Sequence, residues 1–187
     1  MNDLDSITLA SFSDVSPILP SLPLMVIKND DGEKLEQDKQ IGYLSTLPKV
    51  FELSYDIKPM GYSSGWKGAF HLTTGGNGTS WGQQIPAVQF NGNKMATNFA
   101  INGNGAFWKY HEQDVPTNKW THFRIVQTEV DGKFMFCIFQ GENKLWEVEN
   151  EQAQDFNDVK ILMGDSRLGL QDAFIRNLRI DKSKCVI

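Results

Sequence analysis

Lys133-Phe134-Met135-Phe136-Cys137-Ile138-Phe139-Gln140, then Gly141-Glu142-Asn143, then Lys144-Leu145-Trp146-Glu147-Val148-Glu149: this stretch decides the fold. It reads as two extended segments joined by a turn, because Gly and Asn tolerate the positive φ that tight hairpins demand. Upstream, Asp131-Gly132 is a second such turn, and Thr121–Val130 continues the pattern. Working outward, the same alternation of short apolar segment and Gly/Asn turn recurs at Gly75-Gly76-Asn77-Gly78, Asn91-Gly92-Asn93 and Asn102-Gly103-Asn104-Gly105. Strands separated by turn signals every 8–12 residues are the mark of an all-β sandwich or barrel.

The expected strands span about 22–28, 49–58, 66–74, 84–90, 94–102, 105–111, 119–129, 133–140, 143–149, 157–164 and 172–181. Only 29–40 and 149–158 leave room for a helical turn or two. Residues 1–21, rich in Ser, Asp and Pro, read as an irregular arm, and 22–187 as one domain. Side-chain alternation assigns faces. In strand 50–57, Phe51, Leu53, Tyr55 and Ile57 share one face, while Glu52, Ser54 and Asp56 form a wet one. Strand 133–140 differs: Phe134, Phe136 and Ile138 lie on one face and Met135, Cys137 and Phe139 on the other. Only one of these sets can enter a sandwich core, so the other needs a cover. The candidates are the N-terminal arm, a partner subunit (homo- or hetero-oligomeric) or an elongated apolar ligand.

Composition excludes whole classes. The chain has 187 residues with 18 basic and 23 acidic side chains, a net charge of −5. It holds no Lys/Arg run to follow a phosphate backbone, which argues against nucleic acid. The longest apolar run, Phe134 to Phe139, is far short of a membrane span. Met1-Asn2-Asp3-Leu4-Asp5 begins no signal peptide, so the expectation is an intracellular protein or a mature secreted chain. The two cysteines, Cys137 and Cys185, are too few for a zinc site; they are either reduced thiols or a disulfide pinning the tail to an interior strand.

Catalytic patterns are weak. Gly61-Tyr62-Ser63-Ser64-Gly65 matches the nucleophile elbow, yet a strand rather than a helix follows it. Glu147, Glu149 and Glu151 are spaced like the carboxylate row of some retaining glycosidases, but the strand breaks at Asn150. His71, His111 and His122 have no ligand spacing. The expectation is no enzyme. Asp165 in Met163-Gly164-Asp165-Ser166 is the candidate for a loop Ca²⁺, and Asn77-Gly78-Thr79 is a glycosylation sequon if the protein is secreted. The aromatics Trp66, Trp81, Phe107, Trp108 and Tyr110 sit in or beside the Gly/Asn-rich turns, where ligand contacts concentrate, although sandwich cores also consume such rings.

Several motifs in order carry a resemblance: Phe70-His71-Leu72-Thr73-Thr74-Gly75-Gly76-Asn77, Gly82-Gln83-Gln84-Ile85-Pro86-Ala87-Val88, Ala100-Ile101-Asn102-Gly103-Asn104-Gly105, Asn118-Lys119-Trp120-Thr121, Phe156-Asn157-Asp158-Val159-Lys160 and Phe174-Ile175-Arg176-Asn177-Leu178-Arg179-Ile180. Over about 45–181 the chain resembles the laminin-G-like, concanavalin-type jelly-roll modules of marine invertebrate extracellular proteins. The resemblance implies two antiparallel sheets of roughly six strands each, secretion, and binding rather than catalysis. It departs from the family at Gly82-Gln83-Gln84-Ile85-Pro86, where relatives often carry Gly-Asp-Arg-Ile-Pro, which weakens any ionic role for that loop. Some animal pigment proteins of this group bind carotenoids through apolar subunit surfaces. The leading expectation is therefore a binding module for a partner subunit or an apolar ligand such as a carotenoid, contacted through Trp66, His71, Trp81, Phe107, Trp108, Tyr110, Phe134, Phe136 and Ile138. The alternative is a lectin-like module binding glycans, with or without calcium.

Overall fold

The computed structural model describes residues 24–76 and 78–182. The proposed arm, Asn77 and Cys185 lie outside the described residues, so the arm, the sequon and the Cys137–Cys185 pairing are not addressed by it. With strands numbered in chain order, the first sheet runs β1 (Leu24–Met25), β14 (Ala173–Asp181), β4 (Phe51–Pro59), β9 (Thr121–Val130), β10 (Lys133–Gln140) and β11 (Asn143–Glu149). The short β2 (Glu33–Lys34) adds to β14. The second sheet runs β3 (Gln40–Leu47), β12 (Phe156–Met163), β5 (Trp66–Thr73), β6 (Ala87–Asn91), β7 (Lys94–Ile101) and β8 (Asn104–Asp114), with β13 (Gly169–Leu170) beside β5. Every pairing is antiparallel except β13 with β5. The fold is an all-β, two-sheet jelly-roll sandwich. Each sheet has seven strands, of which β1 and β2 in the first and β13 in the second are only two residues long.

Turn chemistry sets the hairpins. Asp131 and Gly132 have φ of 51° and 78°, and Asn102 and Gly103 have 49° and 80°, the paired positive values of turns that match strand twist. Between the sheets, the inner faces bury Phe51, Leu53, Tyr55 and Ile57 of β4 against Phe70, Leu72, Val88, Phe90 and Phe99 of the opposite layer. Phe99 stacks on Phe136 at 4.4 Å and Tyr55 meets Phe70 edge-on at 4.8 Å, so the two layers interlock through rings.

Two sequence expectations need correction. Among the described residues no helix forms: 29–40 carries β2 and the start of β3, and 149–158 holds a turn leading into β12. Strand β3 was hidden because it is an edge strand with mixed exposure. Its Gly42 lies so close to Ile161 and Val26 that an added Cβ would meet them at 3.0 and 3.2 Å. The second correction concerns the wet face of β4. Ser54 and Asp56 are buried, because Arg176 and His122 bond Asp56 at 3.0 and 2.7 Å, and Arg179 bonds Ser54 at 2.9 Å. Among the described residues no helix is long and apolar enough to cross a membrane.

Candidate functional site

Alternation along β8 decides which of its side chains reach solvent. Phe107, Lys109 and His111 turn inward: Phe107 stacks on Trp146 at 5.4 Å, Lys109 sits over the same indole, and His111 packs on Phe123. Trp108 and Tyr110 therefore share the outer face, and beyond Tyr110 the β7–β8 register shifts, leaving Glu112 exposed in the irregular stretch beside Tyr110. Across the second sheet, the register aligns Tyr110 with Ala96, Ala96 with Gln89 and Gln89 with Gly68. That row contains two residues with little or no side chain. The rings of Trp66, from β5, and Tyr110, from β8, lean together over it and stack at 5.3 Å. Trp108 stands edge-on to both, at 6.3 Å from Trp66 and 5.0 Å from Tyr110, and remains 54% exposed. The result is an indole roughly perpendicular to two neighbouring rings and more than half exposed.

Polar groups surround this cluster. Asn91 Nδ2 donates to the Tyr110 hydroxyl at 3.1 Å. Asn98, which faces Trp108 across the β7–β8 ladder, donates from Nδ2 to Gln84 Oε1 at 2.7 Å, and Gln84 passes the chain on to the Gly78 carbonyl. The Asn98 Oδ1 atom is buried with no hydrogen-bond partner among the described residues. A cleft of about 450 Å³ opens at the Tyr110 edge, lined by Asn91, Lys94, Tyr110, His111 and Glu112. Lys94 is bonded to Asp114 at 2.6 Å. Burial pushes His111 down to about 4, so its imidazole is neutral near pH 7.

The other nominated residues fall elsewhere. Phe136 and Ile138 lie in the inter-sheet core, and Phe107 packs against that core, so these three are structural. Phe134 is half-buried beneath the Lys49 ammonium at 4.7 Å. Trp81 leans on Phe156 at 6.2 Å. The loop that holds Trp81 seats on Gly105, where an added Cβ would strike the Ser80–Trp81 backbone at 2.6 Å. His71, although on the outer face, is 1% exposed, because the turn at Gly164 covers it and accepts its Nδ1 contact at 2.8 Å. Asp165 does not fit a calcium role: Arg167 takes both its carboxylate oxygens, at 3.1 and 2.5 Å. Among the described residues no group of three or more His, Cys, Asp or Glu could hold a metal.

The apolar outer face of β10 also resolves differently. Cys137 and Phe139 are 0% and 7% exposed within the chain, clustered with Val126 and Met135. Arg124 lays its guanidinium over Phe139 at 4.8 Å, and the Lys144–Glu147 pair spans the thiol of Cys137, whose Sγ lies 3.5 Å from Glu147. Burial and the Glu147 contact push that thiol up to about 12. Among the described residues this face is covered by charged side chains of the same sheet, whose stems are apolar.

The structure brings Trp66, Trp108 and Tyr110, all expected from the sequence, into one cluster and sets beside them Asn91, Asn98 and Glu112, which the sequence reading does not single out. Period 2 does not reach Glu112, because the β7–β8 register shifts between Tyr110 and Asp114. The two asparagines gave no local signal.

No family model matches the chain, and no curated protein matches it. Solved structures do. The receptor-binding domain of botulinum neurotoxin type G is 11% identical with a TM-score of 0.56, over 88% of this chain and 44% of that one. The ligand-binding domain of botulinum neurotoxin serotype D, solved with N-acetylneuraminic acid, is 10% identical with a TM-score of 0.58, over 88% of this chain and 43% of that one. The carbohydrate binding module CBM66 from Bacillus subtilis is 12% identical with a TM-score of 0.51, over 83% of this chain and 89% of that one. The chain thus spans under half the length of the toxin domains it resembles. At these identities the likeness is one of fold.

Proposed function

We propose that this chain is a non-enzymatic carbohydrate-binding module that seats a pyranose ring on Trp108. The observation that carries the reading is the exposed Trp108 indole, braced by Trp66 and Tyr110, beside a cleft with amide, hydroxyl and carboxylate groups. A pyranose presents an apolar C–H face and a rim of hydroxyls. It therefore needs an aromatic plane with polar groups at its edge, and few other ligands need both. The Trp66–Tyr110 stack uses their faces against each other, which leaves one platform and so one ring per site. The structural likeness to a carbohydrate binding module and to a toxin domain solved with a sugar supports this direction. It also fits an extracellular setting.

Binding without turnover fits the acidic row. Lys144 and Cys137 hydrogen-bond Glu147, and the Lys144 bond holds its carboxyl below the usual range, the opposite of what a general acid requires. Glu149 is paired with Lys133 at 2.8 Å. The test is affinity of the full chain for immobilised glycans, before and after Trp108→Ala. The expected outcome is specific binding that falls at least tenfold, roughly the 1.4 kcal/mol or more of a lost stacking plane. Because Trp108 is exposed, thermal stability should stay nearly constant. Unchanged glycan binding in that variant would falsify the assignment.

A further inference from the structure

We infer that the Trp108 site selects uncharged pyranosides and that Glu112 turns carboxylated sugars away. The inference rests on the glycan-binding reading above and deepens it. The cleft beside Tyr110 has two basic residues in its wall, and neither offers a charge. Lys94 Nζ is 2.6 Å from Asp114 Oδ1 and also donates to the Glu112 carbonyl at 2.6 Å. His111 is buried, receives or donates its one bond at Thr97 Oγ1, 2.9 Å away, and stays neutral near pH 7. Lys109, between the two exposed rings in sequence, is committed to Trp146 on the other side of the sheet.

Against these stands Glu112, exposed at the wall of the cleft, whose carboxylate has no ion-pair partner among the described residues. Lys94, Asp114 and Glu112 together leave one unbalanced negative charge at this edge. A sugar hydroxyl can donate to that carboxylate and can accept from the Tyr110 hydroxyl, whose oxygen already receives Asn91. A sugar carboxylate can do neither with Glu112. It would meet the net negative charge of this edge, whose cation Lys94 is already held by Asp114, a penalty of about tenfold in affinity at a protein surface. The negative balance thus acts as selection against acidic glycans rather than as attraction for neutral ones.

The experiment uses the full chain and matched glycopolymers bearing glucosyl, galactosyl or mannosyl groups, each with its uronate counterpart. The readout is the neutral-to-acidic affinity ratio within one protein, which does not depend on the folded fraction. A ratio of at least tenfold is expected, shrinking in 0.5 M salt and falling towards unity in Glu112→Gln. Equal or tighter binding of a uronate by the wild type overturns the selectivity, as does a ratio that Glu112→Gln leaves unmoved. Either result leaves the glycan reading standing provided Trp108→Ala abolishes the binding seen. If no polymer binds and the wild type equals Trp108→Ala, both inferences fall together.

Discussion

The two outer faces of the sandwich both carry apolar side chains, and they dispose of them in opposite ways. On the first sheet, Phe139, Cys137 and Met135 lie beneath Arg124 and the Lys144–Glu147 pair. Beside them, Asp56 and Glu52 are tied to His122, Arg176 and Arg124. On the second sheet, three rings stand over Gly68 and Ala96, and among the described residues Trp108 stays 54% exposed. Apolar character alone therefore does not mark a binding surface. A long cationic side chain on a neighbouring strand closes one face, and its absence leaves the other available.

The sharpest way to break this comparison is to cut rings on the two sides of β10. Phe136 stacks on Phe99 between the sheets, and Phe136→Ala should cost about 3–5 kcal/mol in denaturant unfolding. Phe139→Ala, with only Arg124 above it, should cost at least about 1 kcal/mol less, because the guanidinium stem can settle into the space. Equal losses would mean that the outer face is as much a core as the inner one.

Acid should separate the faces next. His111 lies beneath the aromatic face, with its ordinary value of 6.5 pushed down to about 4 by burial. The unfolded chain therefore takes up a proton first as pH falls. Stability is full above about 6.5 and declines until about 4, a loss on the order of 3 kcal/mol. Asp56 titrates later. Burial would raise its carboxyl, but hydrogen bonds from His122, Asn177 and Arg176 outweigh that and hold it below the ordinary value of 3.8. Its contribution is present above the unfolded value and disappears only as pH falls through the folded one. Urea titrations from pH 7 to 4 should show the His111 slope, and His111→Gln should flatten it. A wild-type curve already flat over that interval would show that the imidazole is not held neutral.

The smallest expected effect concerns the lid itself. Arg124→Ala removes the cation over Phe139 and one partner of Glu52, and should cost about 1 kcal/mol. It should also raise the tendency to self-associate, read by sedimentation. No change in either quantity would mean that Arg124 covers nothing of consequence.

Much of this was legible beforehand. The inner set Phe51, Leu53, Tyr55 and Ile57 and the hairpin turns at Asp131-Gly132 and Asn102-Gly103 follow from period-2 alternation and from positive φ, both local properties. The exposed ring cluster was half legible. Nearness to turns groups Trp66, Trp108 and Tyr110, but it groups Phe107 and Trp81 with them, and the resemblance adds His71. Those three were lost to the register of β8, the seat of a loop on Gly105 and the turn over Gly164.

Alternation and turn residues by themselves determined an all-β sandwich and, for most strands, which side chains face inward, because neighbouring residues alone dictate that geometry. Tertiary structure alone decided which outer face is closed and which is open. Arg124 reaches Phe139 from the next strand, and Trp66 meets Tyr110 across two intervening strands. The first pairing follows from the β9–β10 hairpin turn, but the second is set by strand order and register across the sheet, which no local pattern encodes. The same holds for Glu112, which borders the cleft only because β8 aligns it beyond Tyr110, and for Lys94, whose charge is taken by Asp114 from twenty residues away.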